Sequence, residues 1–166
     1  MIFVTVGSWG AGFDRLLLAT ADADRQGLFG SEEILVQARS VPDGIPMRWQ
    51  IAAFLPVDEF TRRVAEATLV ISHGGSTLVT VARSGKLPVA MPRRPELGEI
   101  VNGHQIRFVA ALAGRGLVAP AYEAEDLPGA IMRARSSLPG ELPAGGGIAT
   151  VAQAIRLVVG ERKREK

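Results

Sequence analysis

The chain has 166 residues, 47% of them hydrophobic and 22% charged, the mix of a folded domain, which excludes wholesale disorder. It contains no Cys and two His, which excludes a disulfide scaffold, a thiolate nucleophile and a Cys-ligated zinc or iron–sulfur centre; no metal and no other cofactor is expected. A formal net charge of +2 and 5% aromatic residues supply neither an electrostatic footprint nor stacking platforms for nucleic acid.

Short β-branched runs alternate with amphipathic segments along the chain. Ile2–Val6 reads as a strand that ends in Gly7-Ser8, and Phe13–Ala23 follows with helical spacing. Glu33–Gln37 and Arg48–Phe54 are the next strands. The connection between them, 38–47, is too short for a full helical crossover, so their pairing is left open. Asp58–Glu66 is a helix with an acid near its start. Thr68–Ser72 is a strand leading into His73-Gly74-Gly75-Ser76, then a helix over Thr77–Ser84 closed by Gly85. Pro88–Met91 is a strand, Val101–Ala113 a helix, and Leu117–Ala119 a short strand. Glu125–Ala134 and Ile148–Val159 are further helices, separated by a Pro- and Gly-rich loop over 138–147.

Strands alternating with helices predict an α/β fold: a Rossmann-like parallel sheet with helices on both faces. One domain is expected over residues 1–160, with a basic tail at 161–166. No apolar run is long enough to span a bilayer, and Met1-Ile2-Phe3 lacks the basic region of a signal peptide, so a cytoplasmic location is expected. The helix over 148–159 carries Ile148, Val151, Ala152, Ile155, Val158 and Val159 on one face. That face either packs on the domain's own sheet or docks a partner.

In open α/β sheets, ligands bind beyond the carboxyl ends of the strands, where three loops stand out. The first, Gly7 to Gly12, lacks both the G-x-G-x-x-G and the P-loop patterns, and is either a tight turn or a phosphate cradle. The second, His73-Gly74-Gly75-Ser76-Thr77, sits between a strand and a helix. His73 is there either a phosphate contact or a capping, core-satisfied imidazole. The third runs from Arg93 to Gln105 and holds the other histidine, His104. His104 and Gln105 form either a polar helix start or a ligand contact. Arg93 and Arg94 are either added positive charge for an anion or a solvated basic turn.

Val4-Thr5-Val6-Gly7-Ser8, Val70-Ile71-Ser72-His73-Gly74-Gly75-Ser76, the stretch Gly85 to Arg93, and Gly98-Glu99 through His104-Gln105 together resemble the C-terminal domain of family 28 glycosyltransferases, in that family's order. The resemblance is greatest to stand-alone donor domains. These include the catalytic subunit of the eukaryotic two-part N-acetylglucosaminyltransferase and bacterial counterparts in exopolysaccharide and capsule synthesis. It implies the donor-binding half of a GT-B glycosyltransferase, an inverting enzyme that uses a UDP-sugar. Carried over residue by residue, it places uracil against Phe54 and Leu55, the diphosphate on His73, Gly74, Gly75, Ser76 and Thr77 with Gly7 and Ser8 opposite, and the sugar on Glu99, His104 and Gln105. His73 would also be the catalytic residue that stabilises the leaving group. The family's ribose-binding Glu falls at Thr80 here, which offers one hydroxyl in place of a carboxylate. The resemblance also implies a membrane-anchored acceptor subunit, a lipid-linked sugar acceptor, and recruitment to the inner membrane face; the apolar 148–159 helix is the candidate docking element for that subunit. The alternatives are a non-catalytic activating subunit of such a transferase, or an unrelated α/β nucleotide-binding protein.

Overall fold

The computed structural model describes residues 1–7 and 12–137. Ser8, the loop over 138–147, the helix expected over 148–159 and the tail at 161–166 lie outside the described residues.

Among the described residues, six parallel strands form one sheet. They are β1 (Ile2–Thr5), β2 (Ile34–Gln37), β3 (Gln50–Ala52), β4 (Leu69–His73), β5 (Val89–Met91) and β6 (Ala119–Pro120), in the order β3-β2-β1-β4-β5-β6. The helices are α1 (Asp14–Arg25), α2 (Val57–Glu66), α3 (Thr77–Arg83), α4 (His104–Ala113) and α5 (Leu127–Ser136), with single 3-10 turns at Pro95–Leu97 and Ala124–Asp126. The parallel α/β reading therefore holds, and the sheet order places the topological switch between β1 and β4.

The strands sort their side chains by the two-residue period of extended chain. Ile2, Val4, Ile34, Val36 and Ile71 face α1 and α5 in the largest apolar cluster, with Leu16, Leu17 and Ile131. Phe3, Leu35 and Val70 face the other way, onto Val64 of α2 and Val81 of α3. Phe3 meets Phe60 edge to face, with ring centroids 5.4 Å apart. A third cluster under α4 joins Ala90, Leu78, Val109 and Leu112. Burying a ring such as Phe3, fully excluded from solvent, contributes about 2–3 kcal/mol.

The open pairing is settled by the structure. β3 runs parallel to β2, with Leu35 opposite Gln50 and Gln37 opposite Ala52, at the edge of the sheet. The connection needs no helix because it folds back onto α1. Trp49 Nε1 donates to Asp24 Oδ2 at 2.7 Å, and the Arg48 guanidinium bonds the same carboxylate. Two boundaries differ from expectation. α4 starts at His104 rather than Val101, because Asn102 Oδ1 accepts the His104 N–H and holds the preceding residues in a turn. β6 is Ala119–Pro120, since Ala119 N–H donates to Pro88 and Ala121 N–H to Ala90.

Lys86, just past the left-handed Gly85, anchors α2. Its Nζ donates to the carbonyls of Val64 (2.8 Å), Ala67 (2.7 Å) and Ala65, groups left without helical partners at the end of α2. Burial lowers its pKa. The same helix begins at the segment that carries Phe54 and Leu55, so this contact fixes one wall of the site.

Candidate active site

A cavity of about 710 Å³ opens at the carboxyl ends of the strands. Its lining includes Gly7, Phe54, Leu55, His73, Ser76, Thr77, Thr80, Glu99 and Gln105, which the sequence singles out, brought together from separate stretches of chain. Gly74, Gly75 and His104 lie outside this lining.

His73 ends β4, and its imidazole sits between two glycines. A Cβ on Gly7, which has φ +82°, would come within 2.7 Å of His73 Cε1, and a Cβ on Gly75 would collide with Nε2. Those glycines make room for the ring. Gly74 answers a different need: a Cβ there would lie 2.9 Å from both Gln105 Cβ and Val109 Cγ2. Gly74 thus lets α4 approach the β4–α3 turn. The Gly75 N–H donates to the His73 carbonyl at 2.8 Å, so it is spent inside the turn. Burial is the first cause that lowers the His73 pKa to about 4, reinforced by the positive charge of Arg93 and by His104, against a hydrogen bond to the Thr5 backbone. At neutral pH His73 is an uncharged imidazole, which can offer one hydrogen-bond donor and one acceptor.

The side chains beside it are open. No described group holds the hydroxyls of Ser76, Thr77 or Thr80, and neither the N–H nor the C=O of Leu55 is taken. Leu55 is buried and Phe54 exposed at the rim, so together they offer a backbone edge beside an apolar face.

The opposite wall is tied up within the protein. Glu99 receives Arg15 through both oxygens, at 2.8 and 2.9 Å, and also the Arg94 N–H at 2.8 Å. Arg15 further donates to the carbonyls of Tyr122 and Pro92, each at 2.8 Å. Arg93 is not a solvated turn residue: it is 6% exposed. Its guanidinium donates to the carbonyls of Val6 (3.1 Å) and Gly12 (3.0 Å), joining the end of β1 to the residues before α1, and lies 4.5 Å above the Phe13 ring. Burial lowers its pKa, with Glu99 acting in the opposite sense. Gln105 Oε1 accepts the Arg93 N–H at 3.0 Å. His104 bonds Asn102 through both its N–H and Nδ1.

Sequence reading missed Gln37, Val57 and Phe60 in the lining, and missed Arg15 as the partner of Glu99. For Gln37 a signal existed: a polar residue closing an otherwise apolar strand on the ligand side of the sheet. Among the described residues there is no cluster of metal-ligating side chains.

An open parallel sheet of this order, with a glycine-flanked cavity at its carboxyl edge, defines a Rossmann-like α/β domain with its cavity at the topological switch point. The chain belongs to the glycosyltransferase family 28 C-terminal domain family, whose model matches residues 1–139. Its fold is similar to that of spinosyn forosaminyltransferase SpnP, with TM-score 0.61, 16% identity, and coverage of 96% of this chain and 39% of that one. It is also similar to the glycotransferase of kitacinnamycin (0.57, 15% identity, 94% and 42%) and to the calicheamicin glycosyltransferase CalG4 (0.54, 14% identity, 96% and 43%). The chain therefore spans about two fifths of the length of these neighbours and corresponds to the C-terminal half of the GT-B fold. No curated protein sequence matches it. Among the described residues, no helix is long and apolar enough to cross a membrane.

Proposed function

We propose that the chain is the donor-binding subunit of a two-component inverting glycosyltransferase, which moves a sugar from a UDP-sugar to a lipid-linked glycan in polysaccharide synthesis. The observation that carries this reading is the pairing, in one cavity, of a polar cradle (His73, Ser76, Thr77, with Gly7) and a backbone edge at Phe54-Leu55, in a family 28 domain. The cradle suits a diphosphate and the edge suits a nucleobase. Uracil's alternating acceptors and donor match the Leu55 N–H and C=O.

In the proposed reaction the acceptor hydroxyl oxygen attacks the anomeric carbon as the bond to the β-phosphate oxygen breaks. UDP leaves with the electron pair, and configuration inverts. Hydrogen bonds from neutral His73 and the Ser76 and Thr77 hydroxyls stabilise the developing charge, with the buried Arg93 cation behind them. A histidine with pKa about 4 is a poor proton acceptor at neutral pH, and Glu99 is already engaged by Arg15. The base then comes from the acceptor-binding partner, which would recruit this chain to the inner membrane face.

Calorimetric titration with UDP, GDP, ADP and NAD tests the donor assignment. UDP-selective binding, lost in His73→Ala, is expected; selective binding of ADP or NAD overturns it. In the complex with the acceptor subunit, His73→Ala should abolish transfer. Unimpaired transfer would make this chain a non-catalytic subunit.

A further inference from the structure

Two carboxamides line the cavity, and both are held in the same way. Gln105 accepts the Arg93 N–H at Oε1, and Gln37 accepts the Thr5 hydroxyl at Oε1, at 2.9 Å. Thr5 Oγ1 in turn accepts the Gly7 N–H at 3.2 Å. A relay thus runs from Gly7 through Thr5 to Gln37, with the carboxamide oxygen turned toward the strand. The Nε2 group, with two donors, points away from Thr5. No described group accepts from it, although Gln37 is only 4% exposed. It is not sealed in protein either, since Arg63 Nε is the single buried side-chain nitrogen or oxygen without a partner among the described residues. Gln37 therefore presents a pinned, unspent donor pair to the cavity, a costly arrangement unless a ligand accepts from it.

The sheet order tells which part of a ligand that is. β3 leads to Phe54-Leu55, while β1 and β4 lead to Gly7 and to the His73–Thr77 turn. β2 lies between β3 and β1, so Gln37 stands one strand spacing, about 4.8 Å, from each neighbouring strand. In a nucleoside diphosphate the group between base and phosphates is the ribose. Thr5 and Gln37 share the sheet face of Phe3 and Leu35, the face covered by α2 and α3, and Thr80 lines the same cavity from α3.

We infer that Gln37 is the ribose-reading residue: its Nε2 donates to a ribose hydroxyl of the bound nucleotide, with the Thr80 hydroxyl as the second contact. This rests on the UDP-donor reading above and assigns the ribose recognition that a threonine at position 80 leaves incomplete.

The test is calorimetry of the full chain and of Gln37→Leu with UDP, 2′-deoxy-UDP and 3′-deoxy-UDP. The wild type should prefer UDP over at least one deoxy analogue by roughly 3- to 10-fold, the range for one neutral hydrogen bond. Gln37→Leu should lose affinity for UDP by a similar factor and no longer distinguish that analogue from UDP. A variant that retains both affinity and preference overturns the inference. Should Gln37→Leu fail to fold by thermal melting, the wild type still decides. The Gln37 side-chain amide resonances should shift with UDP and stay in place with the weaker-binding deoxy analogue; equal shifts with all three overturn the assignment. UDP binding without any ribose preference sinks this inference and leaves the donor reading intact. No nucleoside diphosphate binding at all overturns both.

Discussion

On one side of the cavity, Ser76, Thr77, Thr80 and the Leu55 backbone have hydrogen-bonding groups that no described residue takes. On the other, Glu99 receives the Arg15 guanidinium and the Arg94 N–H, and Arg15 and Arg93 donate to the carbonyls of Val6, Gly12, Pro92 and Tyr122. Both walls come from stretches that the sequence marks equally strongly. The open wall keeps hydrogen-bonding groups that no described residue takes, at the edge of the cavity. The closed wall ties α1, the end of β1 and the β5–α4 segment to one another. Glu99 shows the difference best: a carboxylate expected from the sequence to meet a sugar, whose two oxygens already carry three donors. Polar residues at a site thus divide into those with hydrogen-bonding groups to spare and those that hold the frame. Only the partner of each atom tells them apart.

The sharpest way to break the comparison is to cut the closed wall. Glu99→Ala leaves Arg15 buried without its carboxylate, and should cost about 3 kcal/mol in urea unfolding, the low end for breaking a mostly buried pair. A stable Glu99→Ala chain that binds nucleotide poorly would instead place Glu99 on the open wall.

His73 sits at the junction and gives a pH signature. Its folded pKa of about 4 lies below the ordinary 6.5, so the unfolded chain binds the proton more readily. The stability this burial permits is full above pH 6.5 and falls as pH drops toward 4, by up to about 2 kcal/mol once partial exposure is discounted. His73→Asn should flatten that difference in melts between pH 7 and 4.

Gly74→Ala is a smaller blow, aimed at the seam between the walls. The methyl would meet Gln105 and Val109 at 2.9 Å, and should destabilise the chain by roughly 1–2 kcal/mol. Gln105 would also be displaced, so nucleotide affinity and melting temperature fall together.

The smallest effect belongs to the open wall. Ser76→Ala should weaken UDP binding by roughly 3-fold, one neutral hydrogen bond, with no change in melting temperature. A drop in stability would show that Ser76 belongs to the frame after all.

Much of the fold was legible because periodicity is a local property. The apolar pairs Ile2–Val4 and Ile34–Val36, the spacing of Leu16 and Leu17, and the turn at Gly85 each follow from neighbours in sequence. The pairing of β3 was not legible, since it depends on Trp49 and Arg48 reaching Asp24 on another element. The start of α4 was misplaced because an Asn102 side chain, not hydrophobic spacing, sets it.

For the site, the sequence by itself determined the kind of chemistry present: small residues and hydroxyls after β4, a carboxamide and a histidine opening α4, and no thiolate. Tertiary structure alone decided what each group is free to do. It turned Glu99 and Arg93 into braces, set Gly74 against α4 and Gly75 against the His73 ring, and lifted Gln37 from an unremarked strand end to a donor facing the cavity. The physical reason is that a residue's chemistry travels with its side chain. Its hydrogen-bond partners, and the water it loses, are supplied by residues tens of positions away that only folding brings alongside.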